Sequence, residues 1–206
     1  TLVRPYMLFN EQLFRFEIHR TCDGNYLFLD IHHIVADGTS LGIILNDINR
    51  AYSGEKLEVE EYTSYDLALD NRDALASDAY KNAENYYKSV FENAGGSINF
   101  YPDKSGAAPT AEMYHRETSE FSVQDVKAFC KKHGITENVF FISAFGITLG
   151  KYNFRKDAVF TTIYHGRNDS RLSDTVGMLV KTLPVYCDFS GSTADCLNAV
   201  QQQLIN

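Results

Sequence analysis

The sequence has no excess of basic residues: 19 Lys and Arg stand against 27 Asp and Glu, a net charge of −8. Proteins that neutralise nucleic-acid phosphates carry a basic surplus, so nucleic acid is not an expected partner. No apolar run approaches the roughly 18 residues that span a bilayer, and the opening Thr1-Leu2-Val3-Arg4 lacks the pattern of a signal peptide. No membrane partner is expected. Cysteine is scarce. Cys22, Cys130, Cys187 and Cys196 form no Cys-x-x-Cys pair and match no zinc spacing. They read as buried or half-buried thiols of a reducing, cytoplasmic setting. Repeats and low-complexity tracts are missing too. What is present is 206 residues, 44 % hydrophobic and 22 % charged, enough apolar side chain to bury a core.

Helical and strand patterns alternate along the chain, which places it in the α/β or α+β class. Leu13 to Ile18 and Tyr26 to His33 read as strands around an Asp23-Gly24-Asn25 turn. Beyond Asp37-Gly38, with Thr39 or Ser40 as cap, an apolar helix runs towards Gly54. Tyr65 to Phe91 carries one long amphipathic helix or two shorter ones. Asn93 to Thr110, rich in Gly, Pro and small polar residues, is the loop-like stretch that marks a lobe boundary. Then follow a strand Thr118 to Phe121, a helix from Ser122 to Gly134 and an apolar helix Val139 to Tyr152. Strands Asp157 to Ile163 and Met178 to Val185 and a helix from Thr193 complete the chain.

The sharpest local signal is Ile31-His32-His33-Ile34-Val35-Ala36-Asp37-Gly38. Side chains alternate across a strand, so Leu27, Leu29, Ile31 and His33 share one face, and Phe28, Asp30 and His32 the other. The two histidines therefore face different surroundings. His33, at the strand end beside an Asp-Gly turn, has the setting of a general base held by packing, because an imidazole changes protonation near neutral pH. Alone, a His-His pair reads more readily as two satisfied core histidines. A metal held by His33 and Asp37 lacks a third ligand at a convincing spacing. A Ser-His-Asp hydrolase is not expected, since no Gly-x-Ser-x-Gly nucleophile elbow is read from the sequence. His115, His133 and His165 read as surface or satisfied histidines, and Tyr86-Tyr87 as helix packing.

His32-His33-Ile34-Val35-Ala36-Asp37-Gly38 resembles the HHxxxDG motif of the condensation domains of nonribosomal peptide synthetases. Three further segments resemble that family in the right order. They are Tyr62-Thr63-Ser64-Tyr65-Asp66, then Gly166-Arg167-Asn168, then Val176-Gly177-Met178-Leu179-Val180-Lys181-Thr182-Leu183-Pro184, in which Lys181 replaces a common Asn. The resemblance implies a chloramphenicol acetyltransferase-like fold, an α/β two-layer sandwich in two lobes. It makes the chain an internal piece of such a domain: residues 1–110 the C-terminal part of the first lobe, residues 111–206 the N-terminal part of the second.

The implied reaction is amide-bond formation between an acyl or aminoacyl thioester donor and an aminoacyl acceptor. Both are tethered to 4′-phosphopantetheine on an upstream donor and a downstream acceptor peptidyl carrier domain. An adenylation domain of the same synthetase is a further implied partner, and no cofactor of the domain's own is required. His33 is then the catalytic residue, either taking the amine proton or positioning the amine. His32 is structural. The family's Asp forms a salt bridge that shapes the site, so Asp37 is expected to pair with Arg167, while Gly38 permits a tight backbone turn. Epimerisation domains share the motif but often carry Trp soon after it, and the chain has no Trp. A non-catalytic, partner-recruiting domain usually loses the second His or the Gly, and both are present.

Overall fold

The computed structural model describes residues 2–96, 99–100, 113, 115, 117 and 120–205. The chain divides into two compact units. One takes Thr1–Lys81 and Ile163–Lys181, and the other Asn82–Thr162 and Thr182–Asn206. The lobe boundary expected at residues 110 and 111 lies outside the described residues, as does most of the strand expected at Thr118 to Phe121.

The first unit opens with β1 (Phe14–Arg20) and β2 (Asn25–Ile31), an antiparallel hairpin in which Phe14 faces Ile31 and Arg20 faces Asn25. Its turn closes with the Thr21 N–H on the Gly24 carbonyl at 2.9 Å. Phe14, Phe16, Ile18, Leu27, Leu29 and Ile31 pair across one face. On the other face Arg15 sits opposite Asp30, bonds it at 2.7 Å and lies 3.7 Å over the Tyr6 ring. That pairing pins the chain before β1 to the sheet. Cys22 lies exposed in the hairpin turn, so one of the four thiols is not buried: a two-stranded loop has no second layer to cover it.

α1 (Gly38–Tyr52) starts earlier than expected. Its cap is Asp37, whose carboxylate accepts the Ser40 N–H at 2.8 Å, and not Thr39 or Ser40. Gly54, with φ of 84°, ends it in the left-handed conformation that glycine adopts freely. The polar stretch after it forms two helices. α2 (Ser64–Ala74) opens with a capping box between Thr63 and Asp66. α3 (Asp78–Phe91), which belongs to the second unit from Asn82 on, starts afresh where Ser77 Oγ accepts the Tyr80 N–H at 3.1 Å.

In the second unit, α4 (Val123–His133) runs from a Ser122–Asp125 capping box to Gly134 at φ 64°. α5 (Glu137–Tyr152) is capped by Thr136 and packs on α6 (Thr193–Ile205). β3 (Asp157–Tyr164) pairs with β4 (Lys181–Asp188). Val126, Val139, Ile142, Val185, Leu197 and Val200 form the centre of the core. At Gly146 a side chain would meet Cys187 and Phe160 within 2.9 Å, so this glycine lets α5 lie directly on β4. Buried Gln203 mimics a strand residue: its amide donates to the Tyr186 carbonyl at 2.7 Å and accepts the Tyr186 N–H at 2.9 Å. Among the described residues no helix is long and apolar enough to cross a membrane.

Candidate functional site

The geometry around the two histidines differs from the strand reading. The ladder ends where the His32 N–H meets the Leu13 carbonyl at 2.9 Å. Before Leu13 the chain turns, with the Asn10 N–H on the Met7 carbonyl, so no partner strand remains opposite His33. His33 therefore lies in a turn after β2 and is exposed, not held on an aliphatic face. One hydrogen bond orients it: Nδ1 is 2.8 Å from the Ala36 carbonyl oxygen. A carbonyl can only accept, so Nδ1 carries the proton, and in the neutral ring the Nε2 lone pair is left free. His32 is held the opposite way. Its Nδ1 accepts the Ile34 N–H at 3.1 Å, which puts its proton on Nε2 in the neutral ring, and its edge meets the Tyr6 ring at 5.7 Å.

Asp37 is 3 % exposed and Arg167 reaches it from 130 positions away. Nη2 of Arg167 lies 3.1 Å from Asp37 Oδ1 and 3.0 Å from Ser40 Oγ, and Nη1 donates to the carbonyls of Leu172 at 2.8 Å and Thr175 at 2.7 Å. The guanidinium thus places its four terminal N–H groups on the acid, the hydroxyl and two carbonyls, a fork that a single ammonium cannot reproduce. Asp37 also accepts from the Leu179 N–H at 3.1 Å. Ser40 is fully buried. Its Oγ lies 2.9 Å from Asp37 Oδ1, 2.8 Å from the Gly177 carbonyl, and accepts the Gly177 N–H at 3.0 Å.

Segment 163–181 is stapled beside α2 by further bonds. Thr175 Oγ1 donates to the Tyr62 carbonyl at 2.7 Å, the Val176 N–H to Glu60 at 3.0 Å, and Arg171 lies 4.3 Å over the Tyr62 ring. The strand expected from Met178 begins only at Lys181, because Gly177 and Leu179 spend their backbone groups on Ser40 and Asp37 rather than on a ladder. His165, read from sequence as bland, accepts the Arg167 N–H on Nδ1 at 2.9 Å and so helps fix that residue.

The glycine that the backbone constrains is Gly166, not Gly38. Gly38 is the first residue of α1, has no positive φ, and a Cβ there would meet nothing within 4 Å. No tight turn requires it, because the extended Asp37 makes the turn. Gly166, with φ of 73°, is the constrained one: a Cβ would collide with the Leu179 carbonyl. Contrary to the sequence expectation, Gly38-Thr39-Ser40-Leu41-Gly42 has the Gly-x-Ser-x-Gly spacing. It makes no nucleophile elbow. Ser40 is 0 % exposed and its hydroxyl is engaged by Asp37, Gly177 and Arg167.

Burial by itself would raise the Asp37 carboxyl. The Ser40 N–H and hydroxyl, the Leu179 N–H and Arg167 outweigh it and hold the group below the ordinary carboxylate range. Its contribution to stability is therefore complete above the unfolded value of about 3.9 and lost as pH falls through the lower folded value. In urea titrations from pH 6 to pH 2, the stability difference between wild type and Asp37→Asn is expected to shrink below about pH 4. A difference that stays constant or widens on acidification contradicts this electrostatic picture.

The condensation-domain family matches the chain over residues 1–206. Bacitracin synthase 2 of Bacillus licheniformis is 29 % identical over 187 residues, which are 88 % of this chain and 7 % of that protein. The four-domain nonribosomal peptide synthetase AB3403, solved with AMP and glycine, superposes with a TM-score of 0.78 at 19 % identity over 98 % of this chain and 16 % of that one. The first condensation domain of the calcium-dependent antibiotic synthetase, solved with a substrate analogue, gives 0.69 at 18 % identity over 94 % of this chain and 45 % of that one. The chain thus spans a small part of the synthetases it matches and under half of that solved domain, and it has the α/β, chloramphenicol acetyltransferase-like fold of these neighbours. A motif-bearing turn tied to a distant arginine, on this fold and with a family match from end to end, makes the chain a member of the condensation-domain family of nonribosomal peptide synthetases.

Proposed function

We propose that the chain supplies the histidine-bearing part of a site that joins a carrier-tethered acyl or aminoacyl thioester to a carrier-tethered aminoacyl acceptor. The observation that carries this reading is His33: exposed, with Nδ1–H held by the Ala36 carbonyl and the Nε2 lone pair without a partner among the described residues. The acceptor nitrogen attacks the thioester carbon and forms the C–N bond. The C–S bond breaks, and the proton lost by nitrogen ends on the pantetheine sulfur. His33 Nε2 accepts an N–H of the amine, either orienting its lone pair or taking the proton. Holding two tethered reactants in line supplies roughly 7–11 kcal/mol of the barrier reduction. Asp37, Arg167 and His32 support the turn and do not exchange protons. The substrates arrive on 4′-phosphopantetheine of an upstream and a downstream carrier domain, with an adenylation domain in the same cytoplasmic polypeptide. Within that polypeptide residues 1–110 close the first lobe and residues 111–206 open the second.

The test uses the full-length natural polypeptide that contains this chain, with both carriers loaded with simple aminoacyl groups. Dipeptidyl product on the downstream carrier, seen by intact-protein mass spectrometry, is the expected result. No product, with solvent deuterium entering the donor Cα, replaces this reading with epimerisation. No reaction with both carriers still bound replaces it with a recruiting role.

A further inference from the structure

The His33 tautomer depends on a peptide plane, and that plane has a second handle. The Ala36 carbonyl that accepts from His33 Nδ1 and the Asp37 N–H belong to one peptide unit. No peptide bond among the described residues is cis, so the carbonyl and N–H of this unit point in opposite directions. On its far side the Asp37 N–H donates to the Gly177 carbonyl at 3.2 Å. Gly177 is gripped at both ends by one atom: Ser40 Oγ accepts its N–H at 3.0 Å and lies 2.8 Å from its carbonyl oxygen. The connection therefore runs from the fully buried Ser40 to Gly177, through the 36–37 peptide, to His33.

Resting on the functional reading of His33 above, we infer that Ser40 is a positioning residue for the reaction. Through Gly177 and the Ala36–Asp37 peptide it holds the Ala36 carbonyl where His33 must protonate on Nδ1, keeping Nε2 as the acceptor. Many catalytic histidines are oriented by a carboxylate at this ring nitrogen. Here a backbone carbonyl fills that position, and the carboxylate, Asp37, is spent on Ser40, Leu179 and Arg167 instead. A backbone carbonyl is only as well placed as its peptide plane, so the plane needs an anchor of its own. Ser40 and Gly177 supply it from two segments 137 positions apart.

Losing the Ser40 hydroxyl frees Gly177 and lets the 36–37 plane rotate. The readout that a merely structural role would not move is the tautomer. In the ¹⁵N-histidine-labelled chain, long-range ¹H–¹⁵N spectra at neutral pH are expected to show His33 protonated on Nδ1 in the wild type and His32 on Nε2. In Ser40→Ala, His33 is expected to lose its Nδ1–H preference, and Ser40→Thr, which keeps the hydroxyl, to retain it. In the full-length natural polypeptide, Ser40→Ala is expected to lower kcat about tenfold to a hundredfold with KM changed less than about twofold, the pattern of a misplaced group. A folded Ser40→Ala with unchanged His33 tautomer and kcat overturns the inference. Where Ser40→Ala does not fold, the wild-type spectrum decides, since His33 protonated on Nε2 overturns it equally. The tautomer is read without turnover, so a failed condensation assay leaves this outcome separately legible.

Discussion

Replacing Arg167 by Ala is expected to cost about 3–5 kcal/mol, measured by urea unfolding at pH 7, because it strands a buried carboxylate. The Arg167 and Asp37 side chains are 7 % and 0 % exposed, so water cannot take over the lost partner. The carbonyls of Leu172 and Thr175 lose their donors in the same step. Arg167→Lys restores charge but not the fork, and should recover only part of the loss. Asp37→Ala is expected to cost a similar amount, since it strands the guanidinium and uncaps α1. The double variant should lose clearly less than the sum, which identifies the pair as one interaction. A loss below about 1 kcal/mol from either single variant, the range of an exposed ion pair, contradicts the buried network.

The second large effect is at Gly166. Alanine there must adopt φ near 73°, which costs about 1–2 kcal/mol for a residue with a Cβ, and that Cβ would run into the Leu179 carbonyl. Leu179 cannot retreat freely, because its N–H is bonded to Asp37 at 3.1 Å. Gly166→Ala is therefore expected to cost roughly 3 kcal/mol or more, by urea unfolding. Gly38→Ala is the contrast, with an expected change within about 0.5 kcal/mol, since open space surrounds that position. If Gly38→Ala keeps its stability but loses turnover in the full-length polypeptide, the space above Gly38 belongs to the substrate. Equal stability losses at the two glycines would contradict the geometry.

Local punctuation in the sequence accounts for what was legible. Ser122 and Gly134 bound α4, Thr136 caps α5, and Gly54 stops α1, each because the residue satisfies groups at a helix end. At Gly177, Leu179 and Gly166 a distant partner claims or crowds the backbone, and at His33 a ladder partner is missing. Gly177 and Leu179 look like strand residues, yet Ser40 and Asp37, at separations of 137 and 142, claim their N–H groups. His33 looks like the last residue of a strand, yet the partner strand stops at Phe14. Gly166 is constrained by a carbonyl that no local pattern announces. The motif resemblance named Asp37 and Arg167 together where spacing could not. It gave no role to the hydroxyl between them, though Ser40 stands within the same short stretch of sequence.

The measurement that bears most directly on the proposed chemistry compares wild type with His33→Ala in the full-length natural polypeptide. Each has the upstream and downstream carriers loaded, with dipeptidyl product timed by intact-protein mass spectrometry. A loss of at least about tenfold is expected, the low end marking an amine held in place and a loss of about 10²–10⁴ marking proton transfer at Nε2. Dipeptide formed by His33→Ala at the wild-type rate would contradict the assignment of His33 and, with it, the site.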